Sequence, residues 1–339
     1  MRALGSVLLI AAGLMVVLVV TLVAFGMPLG PSLNWLYEGA LGSPQGRARS
    51  LVNMTPLLIT GLGIGIAWRA GMINIGGEGQ YVVGGLLGAT MYKLAPNLNP
   101  IALNVTILVA GCVGGGLYAS LAGWLSVRRG VQVIISTILL NFIAIQMLDW
   151  AVNGPLKEHK GQLPMTDMLP QSAMLARYSV STDLHAGVFY ALALAPLCAL
   201  WLFRSRAGFV LRVVGNNPAV AEANRLSPGR VKIQAMAISG ALCGLAGGIQ
   251  YTAVAGQLAR SFSQDWGFLA IPVALLGGLN PLGTVLSAGY FGALFAGTDT
   301  LARFVRGGSA ILFVIQALAV FGFVAAGRWV ERRRREAAP

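Results

Sequence analysis

Seven consecutive residues, Asn74-Ile75-Gly76-Gly77-Glu78-Gly79-Gln80, concentrate what chemistry this chain could do. A carboxylate, two amides and three glycines stand between an apolar segment ending near Trp68 and another beginning at Tyr81. An acidic side chain at the centre of a hydrocarbon layer costs roughly 2.5–3.5 kcal/mol on insertion scales. Three clustered glycines weaken a helix where it should be strongest. The pattern fits a broken helix whose freed backbone groups face a cavity, an arrangement tolerated at depth only inside protein or beside water. It equally fits a turn in which Glu78 caps the following helix. It does not fit a phosphate cradle: no strand precedes it, and the chain contains no Gly-Lys-Ser/Thr.

The elements that must position these residues are read from composition. Of 339 residues, 56% are hydrophobic and only 10% are charged, with a mean hydropathy of +0.73. A soluble chain would carry about a quarter charged residues. The expectation is an all-α polytopic membrane bundle of about ten transmembrane helices. The apolar stretches fall at 5–27, 51–68, 79–94, 100–124, 131–151, 187–203, 233–256, 267–279, 284–301 and 309–327. The first has too long an apolar core for a signal peptide and reads as a retained span. An even number puts both termini on one face. With that face cytoplasmic, 15 of the 24 basic residues lie inside, including the run Arg332 to Arg335. This accounts for the net charge of +13 without nucleic acid. The whole of 1–339 then forms a single transmembrane domain with a cytoplasmic loop at 204–232, an external loop at 154–186 and a basic cytoplasmic tail at 328–339.

Cys112, Cys198 and Cys243 lie inside apolar runs and give neither a disulfide framework nor metal spacing. His159 and His185 stand alone in the external loop, where a solvated side chain is the ordinary outcome, so no metal or other cofactor is expected. No nucleophile elbow, zinc-protease motif or intramembrane acid pair is present, and no catalytic residue is assigned. Gly111 and Gly115, Gly240 and Gly244, and Gly244 and Gly248 are each four apart, a spacing that lets helix backbones approach closely. Asn53, Asn141, Gln146 and Asp149 are polar positions within spans, suited to joining helices by hydrogen bonds.

Two further blocks stand out. In the loop 204–232, Arg212 leads through Gly215 and Asn216 to Asn217-Pro218, a helix-start signal with Asn217 as cap and Pro218 at the first helical position. A short surface helix from 218 to about 225 is expected, able to dock a partner. The run Ser239-Gly240-Ala241-Leu242-Cys243-Gly244-Leu245-Ala246-Gly247 follows. The other block runs from Ala274 through Gly277, Gly278, Asn280 and Pro281 to Gly283, and makes a turn between two spans. Pro272, just before it, kinks or starts a helix.

Taken in order, the blocks at 74–80, 212–220 with 239–247, and 274–283 resemble the permease subunits of bacterial ABC importers. The resemblance covers about residues 50 to 300, within the ribose, branched-chain amino acid and nucleoside group, and is closest to the nucleoside (simple-sugar) branch. Two positions depart from the family pattern: the loop reads Pro218-Ala219-Val220-Ala221, and Asn224-Arg225-Leu226 stands where Ala-Gly-Ile is usual. The resemblance implies an inner-membrane transport subunit without its own ATPase site, carrying nucleosides or related simple sugars by alternating access. It implies three partners: a cytoplasmic ABC ATPase, a second permease subunit in a heterodimer, and an external binding lipoprotein or periplasmic protein. Membrane lipid surrounds it. Asn74, Glu78, Gln80, Asn141 and Phe142 would border the substrate pathway, with Phe142 or Trp68 offering a ring for stacking. Gly215, Asn216, Asn217, Pro218, Ala221 and Glu222 would couple it to the ATPase. The alternative from the residues alone is an ion-coupled secondary transporter of a small polar solute, with Glu78 or Asp149 as the coupling carboxylate.

Overall fold

The structure is a computed structural model and describes residues 19–24, 26–158, 163–178, 182–304, 314, 317 and 318. All regular elements among these are helical; the only extended pairings are isolated bridges, such as Lys157 with Thr166. The long helices are α2 (Pro44–Arg69), α3 (Gly77–Leu94), α4 (Pro100–Arg129), α5 (Val133–Asn153), α6 (Gly187–Arg204), α9 (Pro228–Gln250) and α11 (Pro281–Phe304). Shorter ones are α1 (Leu29–Tyr37), α7 (Arg206–Asn216), α8 (Pro218–Ala223) and α10 (Trp266–Leu276).

Among the described residues, five segments are long and apolar enough to cross a membrane: Pro44–Arg69, Pro100–Arg129, Val133–Asn153, Gly187–Arg204 and Pro228–Ala255. They coincide with five of the apolar stretches, lengthened at their ends by polar residues. The stretch 267–279 is helical only over Trp266–Leu276. At 1.5 Å per residue that is about 16 Å, half a hydrocarbon layer. The first and last apolar stretches lie largely outside the described residues. Residues 28–50, expected as a connecting loop, are instead mostly helical. Helix α1 continues into a π-helical turn at Glu38–Gly42, and Ser43 then caps α2, its Oγ accepting from Gly46 N at 2.9 Å. Arg47 and Arg49, which fall in that interval between apolar stretches, sit in the first turns of a helix.

The chain forms two compact units. One comprises residues up to Asn53 and from Gly289 onward; the other is Met54–Ala288. In the first, Leu22, Met27, Leu36 and Leu301 form a small core, and Asp299 accepts from Arg49 at 2.9 Å and from Arg303 at 3.0 Å.

The second unit is built around the rest of α2, whose Leu57, Leu58, Ile59, Leu62, Ile64 and Ile66 are all buried. A helix apolar on every side belongs in the interior. Beside it, α3, α4 and α9 meet along glycines. A Cβ on Gly84 or Gly111 would strike the Gly244 carbonyl, and one on Gly244 the Gly111 carbonyl; Gly115 and Gly240 oppose each other in the same way. The glycine spacings therefore do bring backbones together, except at Gly248, where a Cβ would find ordinary contact distances. The opposite face of α4 carries an outward stripe four residues apart, Ile101, Val105, Val109, Val113, Leu117 and Leu121, exposed as a lipid-facing surface would be.

The described part of the segment 154–186 around 166–175 is fastened over the end of α9. Leu169 N donates to Gly256 O, Leu175 N to Thr252 O, and Thr166 and Leu258 exchange hydrogen bonds at 2.9 Å. One expectation is corrected here: His185 is buried, 1% exposed, and not solvated. It sits against Gly187 and pairs through its backbone with Arg177. Burial, reinforced by the Arg177 charge and opposed by Asp183, lowers its pKa to about 4, so the ring is neutral at neutral pH. His159 lies outside the described residues.

Candidate functional site

Helix α2 ends at Arg69 because the chain turns through Gly71, whose φ of +75° is open to glycine at little cost. Met72 N reaches back to Ala67 O at 3.0 Å and closes the turn. Residues 72–76 are then non-helical, and Met72 and Asn74 are buried, before α3 begins at Gly77. The non-helical stretch that both readings of the heptad allow lies immediately before it and through its first residues.

Buried backbone groups at such a break need partners. Side chains supply them. Asn74 Oδ1 accepts from Gly76 N at 2.8 Å and from Gln80 Nε2 at 3.1 Å, while its Nδ2 donates to Gln80 Oε1 and to Ser239 Oγ. Asn141, on α5, bridges the break from outside: its Nδ2 donates to Ile75 O at 2.9 Å and its Oδ1 accepts from Gly79 N at 2.8 Å. Trp68 Nε1 donates to Asn74 O. A polar cluster joining α3, α5 and α9 thus sits among buried residues.

Glu78 lies in the first turn of α3, fully buried. Its Oε1 accepts from Ser263 Oγ at 2.8 Å and its Oε2 from Gly267 N at 2.6 Å, at the start of α10. The backbones are pressed together there, and a Cβ on Gly267 would strike Glu78 N. The carboxylate is charge-compatible with two helix N-termini, its own and that of α10.

The structure brings together Asn74, Gln80 and Asn141, with Glu78 on the same helical turn. It does not bring Phe142 to them. That ring is 62% exposed on the outer side of α5, where it lines a shallow apolar depression of about 390 Å³ with Ile143, Gln146, Met147 and Trp150. Ser263 and Gly267 are site residues that the sequence did not single out, and Ser239 stood out only as the first residue of the run 239–247. Serine and glycine carry no distinguishing signal until the fold brings them to partners 165 to 189 residues away.

The second group stands apart from the break. Ser205 caps α7 and Asn217 caps α8, its Oδ1 accepting from Val220 N at 3.1 Å with Pro218 at the first helical position. The surface helix expected over 218–225 ends at Ala223. Asn216, Asn217, Pro218 and Glu222 are exposed, Gly215 is half-buried and Ala221 is buried. Gly215 meets the end of α2: a Cβ there would strike Arg69 O. The candidate docking helix is therefore one contact away from the segment that leads into the heptad.

Residues 46–324 match the family described as branched-chain amino acid transport system / permease component. Among curated proteins, the chain is 31% identical over 298 residues to the guanosine ABC transporter permease protein NupP of Bacillus subtilis, covering 85% of this chain and 82% of that protein. It is 28% identical over 325 residues to the glucose ABC transporter permease protein TsgB13 of Haloferax volcanii, 93% and 85% of the two chains. It is also 28% identical over 277 residues to the nucleoside ABC transporter permease protein NupB of Lactococcus lactis, 78% and 76%. A match over most of the chain, joined to an all-helical fold with membrane-length helices, leaves one assignment: this chain belongs to the branched-chain amino acid transport system permease family.

Proposed function

We propose that the chain is the membrane-spanning permease subunit of an ATP-driven importer that carries nucleosides or related simple sugars across the bacterial inner membrane. The observation that carries this reading is the near full-length similarity to permeases named for guanosine, nucleosides and glucose. ATP would be hydrolysed by a cytoplasmic ABC subunit, and an external binding protein would deliver the solute. A second permease would complete a heterodimer embedded in lipid. In the full arrangement, about ten membrane helices leave both termini cytoplasmic, with 204–232 inside, 154–186 outside and the basic tail at 328–339 inside.

Asn74, Glu78, Gln80 and Asn141 would border the translocation path, closed in this conformation because each is engaged by protein groups. Phe142 would serve it from the outer side of α5, where an exposed ring can meet a partner subunit or stack on a base. Residues Gly215 to Pro218, Ala221 and Glu222 would receive the ATPase's motion. An exposed, capped, short helix anchored by one buried alanine suits that role.

The test is reconstitution of this chain with its partner subunits in proteoliposomes, supplied with ATP and binding protein. Uptake of a labelled nucleoside or sugar that needs both is the expected result. Uptake driven by an ion gradient without ATP would replace the importer reading with the ion-coupled one.

A further inference from the structure

Helix α10 is held at both ends by one stretch of chain. At its start, Asp265 occupies the N-cap position with a φ of +60° and makes no side-chain cap hydrogen bond. Glu78 supplies that cap from another helix, through Gly267 N and Ser263 Oγ. Past its end, Leu279 N reaches back to Ala274 O and leaves the carbonyls of Gly278 and Leu279 turned outward. Arg69 takes both, Nε donating to Leu279 O at 2.6 Å and Nη2 to Gly278 O at 3.4 Å. Arg69 and Glu78 bracket the break.

Arg69 also meets the coupling elements. Its guanidinium lies 5.3 Å from the centroid of the Phe203 ring, and that of Arg212, on α7, lies 5.4 Å from the same ring. The Arg69 carbonyl faces Gly215 with no room for a Cβ between them. A displacement of α7 toward Arg69 finds no free space at that contact and is passed to Arg69.

Resting on the importer reading, we propose that segment 69–78 and α10 move as one body, clamped by Arg69 and Glu78. In this view Arg69 is the positioning residue that carries the motion of α7 and α8 into the body. The geometry favours arginine, whose planar fork reaches two carbonyls and lies over a ring at once, as an ammonium cannot. Glu78 acts through α10 and does not itself need to touch the solute.

The experiment measures solute imported per ATP hydrolysed by the reconstituted importer. Arg69→Gln and Glu78→Gln should each lower that ratio about tenfold, the scale of one charge-assisted hydrogen bond lost. Complex recovery should stay near that of the unaltered protein. Arg69→Lys should restore part of the ratio, since one carbonyl and the ring remain within reach. The double variant should be no worse than the more severe single one, because release of either end already frees α10. An unchanged ratio in both single variants, or losses that simply multiply, would overturn the proposal. Should Arg69→Gln fail to assemble, Phe203→Leu decides: it spares the clamp and cuts the joint, and a normal ratio would overturn the role of Arg69. ATP-independent uptake by the unaltered importer would instead overturn the importer reading.

Discussion

Asn141 shows what one side chain does at a broken helix. Its amide presents a donor and an acceptor in the plane needed to satisfy Ile75 O and Gly79 N together. Asn141→Leu keeps the volume and strands both groups, at a cost of about 1–3 kcal/mol for each one left unpaired. A clearly lower melting temperature in detergent is expected; an unchanged one would mean that water replaces the amide. His185 makes a different prediction, because its pKa of about 4 lies below that of the unfolded chain, near 6.5. Above pH 6.5 the ring is neutral in both states and contributes no pH dependence. Between about 6.5 and 4 the unfolded chain binds the proton and the folded one does not. Stability therefore falls with acidification, by up to about 1.4 kcal/mol per pH unit. His185→Leu should flatten that slope in thermal unfolding between pH 7.5 and 5, and a slope unaltered by the substitution would assign it to other groups.

At the scale of elements, the glycine contacts and the short helix α8 do opposite work. Where α3, α4 and α9 meet, the missing side chains allow backbone-to-backbone approach, and dispersion takes the place that bulky side chains hold in water-soluble cores. Gly244→Val places a Cβ bearing two methyl groups against the Gly111 carbonyl and the Gly115 Cα. Overpacking of this kind costs typically 1–3 kcal/mol. Folded yield should drop, whereas Gly248→Ala, with room for a Cβ, should be nearly silent. Helix α8 is held by little: a cap, a proline and the buried Ala221. Such an element is positioned for contact and adds little stability of its own. Reversing the charge at the exposed Glu222 with Glu222→Lys should leave expression intact but reduce recovery of the ATPase with this chain or uncouple uptake. Full recovery with full uptake would remove Glu222 from the interface.

For the molecule as a whole, the proposed orientation rests on the distribution of charge. Cysteines introduced at Glu222 and at Asp167 should differ in their reaction with an impermeant maleimide added to whole cells. Asp167 should label from outside and Glu222 only after lysis; the reverse pattern would invert the topology. The native Cys112 and Cys198 are partly buried and Cys243 is buried, all within apolar helices, so they add little background.

Residue types and their order were enough for the class of molecule, five of its membrane-length helices, the break before α3, the capped helix at Pro218 and the glycine contacts. Each of these depends on properties local in sequence: hydropathy over about twenty residues, a cap before a proline, small residues one turn apart. Helices α1 and the start of α2 were obscured because arginine and glycine in 38–49 imitate a loop. The partners of Glu78 and Arg69 could not be read at all. They lie 185 to 210 residues away and are mostly backbone N–H and C=O groups, which every residue carries and which no sequence pattern distinguishes. The heptad could be located from its cost in hydrocarbon; tertiary packing alone decided that its carboxylate caps α10.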